Sequence, residues 1–106
     1  MVREVTPTEF VATLSGRPET LLIDVREPWE LDIARLPAAL NIPMAQVPER
    51  LAAIDRSRDV VVMCRSGGRS LTVARFLEGQ GYPTVMNLSG GILAWRVEVD
   101  PTLATY

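Results

Sequence analysis

The stretch Asp59-Val-Val-Val-Met-Cys64-Arg-Ser-Gly-Gly-Arg-Ser70 decides how the chain is read. Its first half is β-branched and apolar without alternation, which fits a strand buried on both faces in the middle of a parallel sheet. Its second half places two arginines, two adjacent glycines and two serines within six residues, which reads as a loop. From Ser70 to Gly79 the pattern becomes helical, with Val73, Ala74 and Leu77 on one side. The chain's single cysteine, Cys64, stands between strand and loop. Open parallel sheets bind ligands beyond the carboxyl ends of their strands, so this strand end is the candidate functional position.

The loop has the composition of an anion cradle. Gly67 and Gly68 let the backbone curl, successive N–H groups of a curled loop can point at one centre, and the following helix adds its positive end. Arg65 and Arg69 are expected to bring permanent positive charge to the rim. A thiol ionises near pH 8.5 when free, roughly, and helix N-termini and nearby cations lower that value. Such a loop can therefore ionise Cys64 without a general base, which matters in a chain that contains no histidine. A cysteine ending an apolar strand is ordinarily an inert buried residue. The glycine pair and the flanking arginines, which an inert residue does not require, favour a thiolate nucleophile and a covalent intermediate.

Working outward, the remaining segments alternate between helix and strand. Thr6-Pro-Thr-Glu9 is a helix start with a capping box, Phe10, Val11 and Leu14 form its apolar stripe, and Ser15-Gly16 ends it. Residues 21–25 (LLIDV) predict a buried strand, and a short helix is expected to begin near Pro28. Two prolines make residues 34–43 a loop with a short extended piece. Residues 47–54 predict a helix with Leu51 and Ile54 inward, residues 84–88 a last strand, and residues 91–96 a last helix. Strands alternating with helices through short loops predict an α/β fold, a parallel sheet flanked by helices on both faces.

The chain has 106 residues, which suits one domain over residues 1–106. Hydrophobic residues make up 47% and charged residues 23%, as in ordinary globular proteins. A net charge of −2, with the eleven basic residues all arginine and scattered, argues against nucleic acid as a partner. No apolar run is long enough for a membrane span, and the first residues lack the apolar segment of a signal peptide. One cysteine cannot form an internal disulfide, so a reducing, cytoplasmic setting is expected. With one Cys and no His, the chain cannot build a zinc site, a Cys-His dyad or a C-x-x-C redox pair, and no metal or cofactor is expected.

The loop CRSGGRS (64–70) resembles the active-site loop of the rhodanese family of sulfurtransferases, in its single-domain branch. LIDVREPWE (22–30), continued by LNIP (40–43), resembles that family's N-terminal motif, and NLSGGILAW (87–95) its C-terminal one. Val5-Thr6 and Val99-Asp-Pro101 also fall where members carry similar residues, so the likeness covers nearly the whole chain. The resemblance implies a single rhodanese-like domain with a parallel sheet of about five strands. It implies Cys64 as the sulfur-accepting nucleophile, Arg65, Ser66, Gly67, Gly68 and Arg69 as the anion-binding loop, and Ser70 leading into the helix. Asp24 and Arg26 would be structural, with Arg26 paired to Glu30 or Glu27. Gly90, Gly91 and Trp95 would support the fold near the site, and Trp29 would likewise be structural. One departure is ARLPAA (34–39), where the family usually reads G-H-[IL]-P-G-A, which leaves the conformation of this turn open.

The function implied is transfer of a sulfane sulfur from thiosulfate, or a related small anionic donor, through a Cys64 persulfide. The acceptor would be external: cyanide, a small thiol or a thiol protein. An alternative is a persulfide carrier or regulatory binding module serving a protein partner. A phosphatase or arsenate reductase, as in relatives with a C-x-x-x-x-x-R loop, is disfavoured because Cys64 and Arg69 enclose only four residues.

Overall fold

The computed structural model describes residues 2–106. Five strands form where β-branched and apolar residues cluster: β1 (Arg3–Val5), β2 (Thr20–Asp24), β3 (Leu40–Asn41), β4 (Asp59–Met63) and β5 (Val85–Leu88). They make one sheet in the order β1-β5-β4-β2-β3, and every neighbouring pair is parallel. Three α-helices lie between strands, α1 (Pro7–Thr13), α2 (Pro28–Ile33) and α3 (Gly68–Gly79), and α4 (Gly91–Glu98) follows β5.

β4 is central because its sequence can be buried on both sides. Val60, Val62 and Cys64 face a layer built from Val73, Ala74 and Leu77 of α3 with Val47 and Ile54. Val61 and Met63 face the opposite layer, which holds Phe10 of α1 and Ile92 of α4. All four apolar side chains from Val60 to Met63 are fully buried, a stabilisation of about 1.5–3 kcal/mol each. The loops that follow β2, β4 and β5 thereby gather along one rim of the sheet.

The start of α1 is the expected capping box: the Glu9 N–H donates to Thr6 Oγ1 at 3.1 Å and the Thr6 N–H to Glu9 Oε1 at 2.9 Å. Its stripe is narrower than expected, since Phe10 is buried whereas Val11 is 45% exposed. A helix was expected over residues 47–54; instead two short 3-10 segments, Met44–Gln46 and Pro48–Ala53, occupy the region, with Arg50 outside helical geometry. Pro48 removes a donor there, and burying Val47 and Ile54 against the sheet takes precedence over a regular ladder. β1 has no counterpart among the expected strands. It is three residues long with only Val5 buried, too short to display a period. The 34–39 turn packs Ala34 and Leu36 into the core, and the Ala39 N–H donates to the Leu36 carbonyl at 3.0 Å.

Candidate active site

Cys64 follows the last residue of β4 and is 1% exposed. Its Sγ accepts the Gly67 N–H at 3.1 Å and lies 3.3 Å from Ser70 Oγ. Gly67 has φ of +107°, a conformation open to glycine, and this turn swings its N–H back onto the sulfur. Helix α3 begins one residue later, so its unpaired first-turn amides lie beside the same atom. Burial by itself pushes the Cys64 thiol up. The Ser70 hydroxyl and the N–H groups of Ser70, Gly67 and Ser66 together outweigh that, and the thiol ends below its ordinary value. The sulfur is thus buried yet surrounded by donors.

The back of the cradle is built by the loop after β5. The Ile92 N–H donates to the Cys64 carbonyl at 2.9 Å, and the Leu93 N–H to the Arg65 carbonyl at 3.1 Å. Because a peptide's C=O and N–H point opposite ways, drawing the Arg65 carbonyl toward α4 turns the Ser66 N–H toward the sulfur. Only glycine permits the approach: a Cβ on Gly91 would stand 2.4 Å from the Cys64 oxygen and 2.5 Å from that of Arg65, and φ there is +58°. Gly91 thus supports the fold beside the site, and Gly90 does so at the start of α4, where a Cβ would stand 2.6 Å from that of Ala94.

Both arginines stand at the rim, and each guanidinium is hydrogen-bonded within the protein. Arg69 forms a bidentate pair with Glu30, at 2.7 and 2.8 Å. Arg69 holds the Glu30 carboxyl down to about 2 against the opposing effect of burial, helped by the Glu27 N–H and the Tyr106 hydroxyl. Arg65 turns to the C-terminal segment, where Nη2 donates to the Tyr106 carbonyl oxygen and the guanidinium lies 5.0 Å from the Tyr106 ring centre. Its Nε is buried without a partner. Negative charge on Sγ is therefore met directly by amides and a hydroxyl, with the Arg69 charge acting on it from farther away. Gly68 opens α3 and has space around the position of a Cβ.

Arg26 differs from expectation, pairing with Asp24 and not with Glu30 or Glu27. Its Nε reaches Asp24 Oδ1 at 3.0 Å and its Nη2 reaches Oδ2 at 2.8 Å. The tight turn after β2 brings these i, i+2 groups together, while Glu30 is held by Arg69. Nη2 of Arg26 also donates to the Ala34 carbonyl at 2.9 Å, which ties down the atypical turn. Both residues are structural, as expected. Trp95 packs edge-on to Phe10 at 5.7 Å. Trp29, expected to be structural, is 60% exposed and touches the Tyr106 ring.

Three contributors escaped the sequence reading. Asn87 on β5 accepts from Ser70 Oγ at 2.6 Å, and its Nδ2 donates to the Gly67 carbonyl at 3.2 Å. Glu4 on β1 accepts from the same Nδ2. Tyr106 donates its hydroxyl to Glu30 Oε1 at 2.8 Å and accepts from Arg26 Nη1 at 3.0 Å. Of these, only Asn87 carried a signal, as a polar residue inside an apolar strand.

Comparisons with known proteins agree with this architecture. The sequence profile of the family described as "Rhodanese-like domain" matches residues 6–98. A sulfurtransferase of Allochromatium vinosum is 42% identical over 104 residues, covering 98% of this chain and 97% of its own. The crystal structure of a rhodanese-like domain protein from Staphylococcus aureus has a TM-score of 0.83 at 28% identity and covers 99% of both chains. Reduced CoADR-RHD from Bacillus anthracis has a TM-score of 0.86 at 29% identity, over 98% of this chain and 18% of that longer one. No helix among the described residues is long and apolar enough to cross a membrane.

Proposed function

The chain belongs to the rhodanese-like domain family, and from that premise we propose that it is a sulfurtransferase working through a persulfide on Cys64. The observation that carries the reading is the convergence of the Gly67 N–H and the Ser70 hydroxyl on one buried sulfur. A small anionic donor suits it, with thiosulfate as the simplest case. The Cys64 thiolate attacks the outer sulfur of thiosulfate, the S–S bond breaks, and its electron pair leaves on sulfite. Cys64 then carries an outer sulfur with the negative charge. The partnerless Arg65 Nε–H is a further donor that an arriving anion could engage.

The chain holds one cysteine, so within it the persulfide meets no resolving thiol. An external nucleophile, cyanide or a thiol, takes the outer sulfur and returns Cys64 to the thiolate. Two displacements through a covalent intermediate give ping-pong kinetics. A second reading, a carrier that passes the persulfide to one protein partner, is favoured by the Bacillus anthracis chain, in which the matched fold is a part of a longer protein. Turnover with small thiols compared with transfer to a protein thiol separates the two.

The test of the class is mass spectrometry of the protein after thiosulfate and then after cyanide. One added sulfur on Cys64 that cyanide removes is the expected result. An unchanged mass after thiosulfate and other sulfane donors would overturn the reading.

A further inference from the structure

The Ser70 hydroxyl has one proton and three neighbours able to accept it: Asn87 Oδ1 at 2.6 Å, the Gly67 carbonyl at 3.2 Å and Cys64 Sγ at 3.3 Å. Ser70 is fully buried and Asn87 is 3% exposed, so the competition is settled inside the protein. The Asn87 amide is fixed in orientation. Its Nδ2 faces both Glu4 carboxylate oxygens, at 3.1 and 3.2 Å, and the Gly67 carbonyl at 3.2 Å. Reversing the amide would set an acceptor against three acceptors. Oδ1 is therefore held toward Ser70.

We propose that Asn87 is a positioning residue for Cys64: it holds the Ser70 proton while the sulfur is neutral and yields it to the sulfur when the sulfur becomes an anion. The significance of this rests on the sulfurtransfer reading, although its measurement does not. With a neutral thiol, S–H donates to Ser70 Oγ and Ser70 O–H donates to Asn87, so both bonds are made. A thiolate has no proton to give, and a charge-assisted bond from Ser70 to Sγ is stronger than the neutral one to the amide. Rotation of the hydroxyl about its C–O bond makes the exchange without moving a heavy atom.

The same rotation serves the second displacement. The acceptor's lone pair forms a bond to the outer sulfur, the Sγ–S bond breaks, and its electron pair stays on Sγ. The proton of Ser70 meets that charge as it forms. In the first displacement the charge leaves Sγ and the proton returns to Asn87.

Asn87 thus favours the neutral sulfur and Ser70 the ionised one, which gives the two residues effects of opposite sign. Charged groups on the surrounding elements are Arg65 in the loop, Arg69 on α3, Glu30 on α2, the Asp24–Arg26 pair after β2, and Glu4 on β1. None is substituted in the variants that test the idea, and the bonds from Asn87 Nδ2 to Glu4 are lost equally with and without Ser70.

The experiment follows thiolate formation by ultraviolet absorbance and by the rate of iodoacetamide alkylation against pH, in Asn87→Leu, Ser70→Ala and the double variant. Asn87→Leu should lower the midpoint by on the order of half a pH unit to one unit, and Ser70→Ala should raise it. In the Ser70→Ala background, Asn87→Leu should have no further effect. A role for Asn87 limited to bracing Gly67 would slacken the amide cradle and raise the midpoint in both backgrounds. A raised or unchanged midpoint in Asn87→Leu, or an equal shift in both backgrounds, overturns the proposal. Circular dichroism checks folding, and Asn87→Ala is read the same way if the leucine variant does not fold. No sulfur donor enters the titration, so failure to form a persulfide leaves this result standing. A chain that takes sulfur from thiosulfate but titrates with the wrong sign defeats this inference alone.

Discussion

Two turns at the same rim of the sheet handle buried charge in opposite ways. After β2, Asp24 and Arg26 are both almost wholly buried, and each cancels the other through several short hydrogen bonds. After β4, the Cys64 sulfur is equally buried but has no opposite charge as its direct partner; amides and one hydroxyl surround it. A fixed ion pair is permanent, so the first turn can only hold the fold. Dipoles can favour an anion without neutralising it, which leaves the sulfur free to give and receive charge during a reaction. The arginines that adjoin the sulfur in sequence follow the same division, since Arg69 is paired to Glu30 and Arg65 to the Tyr106 segment.

The contrast is broken most severely at the sulfur. Cys64→Ser should cut turnover of thiosulfate and cyanide by roughly a thousandfold or more while thermal melting stays near that of the parent. Retention of full turnover would remove the nucleophile from the account. Asp24→Ala should do the converse. It leaves the Arg26 charge buried and unpaired, and urea unfolding should register a loss of about 3–5 kcal/mol. A loss below about 1 kcal/mol would mean that the pair is not what stabilises this turn.

Gly91→Ala joins the two regions, because its Cβ would collide with the carbonyls of Cys64 and Arg65. It should cost about 2–4 kcal/mol and raise the Cys64 midpoint, read by unfolding and by alkylation of the folded variant. The smallest effect concerns Glu30. Its folded value of about 2 lies below the ordinary 4.5, so the stability from its pairing is present above 4.5 and is lost as pH falls toward 2. With Arg69 partly exposed, that contribution is discounted to about 2 kcal/mol. Acid unfolding of Glu30→Gln should lack this dependence; an unchanged acid profile would place the depressed carboxyl elsewhere.

How much of this was legible depended on the range of the interactions. β4 declared itself because four consecutive apolar residues, buried on both faces, need no partner to be recognised. The α1 cap and the curled loop are likewise local, written within a few residues at Thr6–Glu9 and Cys64–Ser70. The Arg69–Glu30 pair spans 39 positions and the Asn87–Ser70 contact 17. Nothing in the residue types singles out those partners from the other carboxylates and amides. Arg26 illustrates the point from the other side: its partner is Asp24, two residues back on β2, and not the adjacent Glu27, while Glu30 is held by Arg69 and Tyr106. The 3-10 segments at 44–53 were hidden because core burial, not helical periodicity, shapes them.

The central claim is that the folded loop, by its amides and the Ser70 hydroxyl, stabilises an anion on Cys64 despite burial. Titrating the thiol of the folded protein beside that of the same chain unfolded in denaturant tests this most directly. A lower midpoint in the folded protein is the expected result. An equal or higher midpoint would contradict the account, because burial would then outweigh the donors around the sulfur.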